Sequence, residues 1–201
     1  MRSAAFLCLV GAARALHVGV LGAHGYLGRE VVSQCLSRQW DVTAYVRRPN
    51  DPVLSPLRHG WLDPNPVAIR AARPMTSPHL RVRSAEDPSG TEDVLVSVVS
   101  GRPFADESST VDTFVSLCES LTGESARVCL VSAHGVGDSI EDANTGIQIM
   151  RDWYLRSTYA AKEAQETYLR TTFWGDTLVL RPRVLSFEPV PLNPVARPRA
   201  A

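Results

Sequence analysis

The run Gly22-Ala23-His24-Gly25-Tyr26-Leu27-Gly28 constrains this chain more tightly than any other feature. Before it stands LHVGVL (residues 16–21), short, apolar and rich in β-branched side chains, as a buried parallel strand requires. After it, Leu27, Val31, Val32, Cys35 and Leu36 recur at helical spacing over residues 27–38 and form one apolar face. VTAYV (residues 42–46) reads as a second strand. A strand, a glycine turn, a helix and a parallel strand in about thirty residues make one crossover unit.

Each glycine answers a separate demand. Gly22 permits the tight exit from the strand, Gly25 lets an anionic group approach the backbone, and Gly28 lets the helix pack close to the sheet. The helix start then offers unpaired N–H groups and a positive dipole end to phosphate. The turn therefore predicts a dinucleotide site at Gly22, His24, Gly25, Tyr26, Leu27 and Gly28. The acid that holds a ribose 2′-hydroxyl in NAD-binding turns is missing at the end of the second strand, where Arg47 and Arg48 stand. A guanidinium binds a 2′-phosphate that a carboxylate would repel, so the expected cofactor is NADP(H).

The alternation continues downstream. Strands are expected at residues 80–83, 94–99, 127–132 and 177–181, and helices at 110–121 and 148–170. The face of the first of these helices carries Val111, Phe114, Val115, Cys118 and Leu121. Between 49 and 92 proline recurs at 49, 52, 56, 64, 66, 74, 78 and 88, which disfavours long helices. That stretch reads as an irregular excursion with a short helix at 67–73. The whole pattern predicts a Rossmann-type α/β fold, a doubly wound parallel sheet with helices on both faces, over residues 16–188. Residues 189–201 read as an extended, proline-rich tail.

Formal net charge is zero, so no general attraction to nucleic acid is expected. Cys8, Cys35, Cys118 and Cys129 form no C-x-x-C pair and no zinc spacing; they read as small core residues, and no metal site is expected. Arg2, the short apolar stretch 4–13 and Ala13-Arg14-Ala15 resemble a secretory signal peptide, which implies a secretory route or an organelle; the alternative is a disordered N-terminal extension on a cytoplasmic protein. The stretch is too short to span a bilayer. Of 21 Lys and Arg residues only Lys162 is a lysine.

HVGVLGAHGYLGREVV, VTAYVRRP, RVCLVSAHGVGDS and KEAQETYLR followed by LVLRP resemble atypical short-chain dehydrogenase/reductases. The likeness is greatest to the NAD(P)H-binding group that includes NmrA-like proteins and flavin/biliverdin reductases. It implies a cofactor across the strand C-termini, with Val98, Val99, Ser100 and Gly101 on the adenosine side. It places Ser132, Ala133 and His134 on the nicotinamide side, and Lys162 at the nicotinamide ribose. The chain departs from the standard short-chain pattern four residues before that lysine, where Thr158 replaces a tyrosine. Tyr159 lies about 100° away around the helix.

Ser132, His134 and Lys162 are the candidate catalytic residues: Ser132 as a hydrogen-bond partner of substrate or nicotinamide amide, His134 as a proton donor near neutral pH. The competing reading of Lys162 is an exposed helix lysine paired with Glu166. Trp153 and Tyr154 are expected in the helix core, the alternative being that they wall the substrate pocket. The resemblance implies an NADPH-dependent oxidoreductase that passes hydride to a flavin-like, quinone or carbonyl small molecule, acting as a monomer or homodimer. The alternative is a noncatalytic NADP(H)-binding regulator or assembly factor, favoured by the missing tyrosine.

Overall fold

The computed structural model describes residues 15–47, 77–99, 107–122 and 125–182. The signal-like segment with Cys8, the expected helix at 67–73, Arg48, Ser100, Gly101 and residues 183–201 lie outside the described residues. Strands β1 (His17–Leu21), β2 (Asp41–Val46), β3 (Leu80–Ser84), β4 (Val94–Ser97), β5 (Arg127–Val131) and β6 (Asp176–Leu180) form one six-stranded sheet in the order β3-β2-β1-β4-β5-β6. Every neighbouring pair is parallel. This is the doubly wound Rossmann order, and its direction reverses between β1 and β4, where ligands of such sheets bind beyond the strand C-termini.

Helix α1 (Tyr26–Ser37) covers one face through Val32 and Cys35, packed on Val18, Val20, Val42 and Ala44. Helix α2 (Ser108–Ser120) and the later helix α4 (Arg156–Thr171) cover the other, where Phe114, Leu117, Cys118 and Leu169 meet Leu21, Leu95, Val128 and Leu130. Phe114 and Tyr168 join the two helices edge to face at 6.3 Å. Cys35 and Cys118 are buried and Cys129 half-buried, all as free thiols, and burial pushes the Cys118 thiol up to about 12. Among the described residues no helix is long and apolar enough to cross a membrane.

The single helix expected at 148–170 is interrupted. A short helix α3 (Thr145–Ile149) passes into a π turn (Met150–Tyr154), and Leu155 leaves helical conformation at φ −117°, ψ 28° before α4 begins. The Leu155 N–H donates to the Met150 carbonyl at 2.7 Å, the five-residue spacing of a π turn. Ile147 packs toward the loop after β5, while Ile149 and Trp153 face solvent. Trp153 is 72% exposed, so its expected place in the core is wrong; Tyr154 is half-buried.

The connection from β3 to β4, residues 85–93, contains no helix, although a parallel crossover usually needs a dozen or more residues and a helix. Polar side chains fill the space. The buried Tyr45 phenol donates to Glu92 Oε1 at 2.6 Å and accepts from the Ser89 N–H at 2.9 Å; the Ser89 hydroxyl also donates to Glu92. Gly19 makes room: a Cβ there would stand 3.0 Å from Glu92 Cγ and 3.2 Å from Tyr45 Cε2. Beside them the His17 ring bridges Thr43 Oγ1 at 2.8 Å and the Thr91 carbonyl at 3.1 Å.

Burial alone would raise the Glu92 carboxyl, but the hydrogen bonds from Ser89 and Tyr45 outweigh it and hold the group below its ordinary 4.5. The resulting stability is present above that value and is lost as pH falls through the lowered one. Tyr45→Phe is therefore expected to cost about 1–3 kcal/mol in urea unfolding at neutral pH. The difference from the parent should shrink in acid as Glu92 protonates.

Candidate functional site

β1 ends at Leu21, and Gly22 turns the chain at φ +87°, in the left-handed region that favours glycine. A Cβ on Gly22 would lie 3.0 Å from the Val99 backbone nitrogen, so the turn after β1 and the end of β4 touch through a missing side chain. The Gly25 N–H donates to the Gly22 carbonyl at 3.0 Å and closes the turn. α1 then starts at Tyr26 with glycine at its cap, no side-chain cap bond and no acid in its first turn. The first N–H groups are thus left to an outside acceptor. Gly25 is exposed, and a Cβ there would meet only the Gly22 carbonyl oxygen at 3.4 Å, so the backbone is open to an approaching ligand. Gly28 is the opposite case: a Cβ would strike the Gly22 carbonyl and come within 2.8 Å of Ala23 Cα. His24 is half-buried in the turn, and Leu27 packs against the core beneath it. Arg47 follows β2 directly and is exposed.

Across the switch point, the other half of the site gathers at the end of β5. Lys162 is buried, and its Nζ donates to the Val131 carbonyl at 2.8 Å. Burial pulls its ammonium down to about 8, against the opposing pull of Glu166 and Glu107. The exposed Lys162–Glu166 pair does not form. Glu166, itself buried, is instead gripped by Arg181, Nε to Oε1 at 3.0 Å and Nη2 to Oε2 at 2.6 Å. Arg181 also binds Asp138, and so ties the loop after β5 to α4 and to the end of β6. These bonds raise the Arg181 guanidinium above its ordinary value.

Thr158, Lys162 and Gln165 share one face of α4 at helical spacing. The side-chain oxygens of Ser132 and Thr158, the Ser97 hydroxyl and both amide atoms of Gln165 are buried without a partner among the described protein atoms. Native folds leave few such groups, and each calls for a partner that the described protein atoms do not supply. His134 is buried; its N–H donates to the Pro182 carbonyl at 3.3 Å, and its carbonyl accepts from the Tyr159 phenol at 3.2 Å. Tyr159 is thereby committed away from Lys162. Sequence reasoning missed Ser97, Gln165, Arg181 and Asp138; the arginine in LVLRP directly after a strand was the available signal for one of them.

The residues fit a nicotinamide dinucleotide. The open Gly25 backbone and uncapped α1 suit a pyrophosphate, and the orphaned hydroxyls and ammonium at β5 and α4 suit the ribose and ring end. Among the described residues no group of acids, histidines and cysteines could hold a metal ion.

No protein-family model and no curated protein matches the chain. Solved structures do. The anaerobillin reductase ChuY of Escherichia coli O157:H7 is 18% identical, with 83% of this chain and 72% of that one covered at a TM-score of 0.56. The oxidoreductase ylbE of Lactococcus lactis is 12% identical, covers 87% and 72%, and reaches 0.58. A candidate NAD-dependent epimerase/dehydratase of Bacillus halodurans is 16% identical, with 87% and 73% covered at 0.55. The chain shares the Rossmann-type parallel α/β fold of these proteins. At these identities the likeness is one of fold.

An ammonium held in a buried site destabilises the fold relative to an apolar chain of similar length. Lys162→Met is expected to raise the thermal midpoint at pH 7. Because the folded value lies near 8 against an ordinary 10.5, the parent gains stability as pH rises between them, and the advantage of the variant should fade over that interval.

Proposed function

We propose that this chain is an NADPH-dependent oxidoreductase that reduces a flavin-like, quinone or carbonyl small molecule. One observation carries the reading: an open, uncapped helix start at Gly25 and a buried amine with orphaned hydroxyls at the end of β5 flank the same switch point of the sheet. The bound dinucleotide supplies a hydride from its nicotinamide ring. The chain does the rest. The Gly22–Gly28 turn holds the pyrophosphate, Val98 and Val99 line the adenosine side, and Lys162 holds the nicotinamide ribose. Ser132 and His134 face the ring end. Positioning and exclusion of water, with the electrons drawn from the cofactor, account for the chemistry. ChuY, a reductase, and ylbE, an oxidoreductase, support the reading by analogy of fold.

The choice of NADP(H) over NAD(H) rests on Arg47 and Arg48 and on the lack of an acid after β2. A second reading, a noncatalytic NADP(H)-binding regulator, is favoured by Thr158 in the place of a phenol and by the commitment of Tyr159 to the His134 carbonyl. Purified protein mixed with NADPH and free flavin or quinone separates the two: loss of the reduced-nicotinamide absorbance supports the enzyme, and tight binding without oxidation supports the regulator. For the cofactor, Arg47→Glu is expected to weaken NADPH about 10- to 100-fold in calorimetry, the loss of one charge-assisted bond, and to leave NADH affinity nearly unchanged. Equal weakening of both would remove the 2′-phosphate assignment.

A further inference from the structure

Reduction of a carbonyl or quinone needs a proton as well as a hydride, and the groups around the candidate site differ sharply in their fitness to give one. Thr158 and Ser132 are aliphatic alcohols, far too weakly acidic. Tyr159 donates its phenolic proton to the His134 carbonyl, and burial raises that phenol further. Lys162 remains. Its Nζ spends one hydrogen bond on the Val131 carbonyl, directly before Ser132, and Thr158 lies one helical turn away on the same face. A lysine ammonium has three protons to donate, so two are left over from that bond.

We propose that Lys162 is the proton donor of this site, its ammonium passing a proton to an acceptor oxygen held by the Ser132 and Thr158 hydroxyls. The proposal rests on the oxidoreductase reading. One N–H bond of Nζ breaks and one O–H bond forms on the acceptor; with the hydride that bound NADPH supplies, the acceptor gains two electrons and two hydrogens and NADP⁺ remains. Lys162 is left as a neutral amine, still able to donate to Val131, and takes its next proton from solvent.

The surroundings fit this task. Glu166 on α4 and Glu107 before α2 are the carboxylates that act on the amine, and Glu166 is shared with Arg181 from the end of β6, which also binds Asp138. His134 lies in the loop after β5. The ammonium is therefore only partly compensated, and burial brings it to about 8, within reach of the pH at which it must both give and regain a proton. An arginine could not do this, because a guanidinium does not deprotonate. Of the 21 lysine and arginine residues, all are arginine except this one.

That singularity makes the test direct. In full-length protein grown with isotope-labelled lysine, one side-chain resonance is expected, titrating near 8 in the absence of any cofactor. NADPH oxidation by a water-soluble quinone, followed from about pH 6 to about pH 10, should fall with the same midpoint, since the charged form is the acid. Lys162→Arg keeps the positive charge, and calorimetry should show NADPH bound within about tenfold of the parent affinity. Its oxidation rate should nevertheless drop on the order of 10²- to 10⁴-fold, and that of Lys162→Met likewise, each without the alkaline fall. A lysine resonance that titrates at its ordinary 10.5, or an arginine variant as fast as the parent, overturns the proposal and leaves the oxidoreductase reading in place. A parent protein that binds NADPH without oxidising it with any acceptor, or does not bind it, overturns both.

Discussion

The junction of β1 with α1 depends on side chains that are not there. With no side chain on Gly28, the first turn of α1 rests directly on the Gly22 carbonyl and Ala23, and with none on Gly22 the same turn touches the backbone at Val99. These two contacts set where α1 starts, and so where its unpaired N–H groups point. They also fix the distance between the ends of β1 and β4, the two strands between which the sheet changes direction. The helix start and the end of β4 both take their positions from this one junction.

The junction was legible in the sequence because its determinants are local. Strand, glycines and helix follow one another without a gap, and the apolar spacing of Val32 and Cys35 specifies which side of α1 meets the sheet. Strand β3 was legible for the same reason, since Leu80 and Val82 alternate with arginines. Other elements depend on partners far away in the chain. Arg181 reaches Glu166 and Asp138 across 15 and 43 residues, and no spacing rule connects them. Tyr45 looks like an ordinary strand residue, yet its phenol replaces a crossover helix by bonding to Ser89 and Glu92. The break at Leu155 carries neither glycine nor proline to announce it. Ile147, before the break, lies beside the loop at Gly135.

The candidate site was legible in part. Lys162 stood out by composition, Ser132 and His134 by their place at the end of a strand. Their surroundings did not. The sequence offered Glu166 as the partner of Lys162 at i+4, and the fold gives that carboxylate to Arg181. A competition among three charged groups is decided by geometry: Arg181 presents a fork to both oxygens of Glu166, whereas the Lys162 amine is drawn to the Val131 carbonyl.

The partnerless atoms of Ser97, Ser132, Thr158 and Gln165, together with the buried Lys162 amine, are points of local frustration inside an otherwise consistent core. Valine, alanine or leucine at these positions would satisfy every packing rule the rest of the sheet obeys. A uniformly apolar interior would be sturdier, but it would offer no hydrogen-bonding group to a polar ligand that entered it.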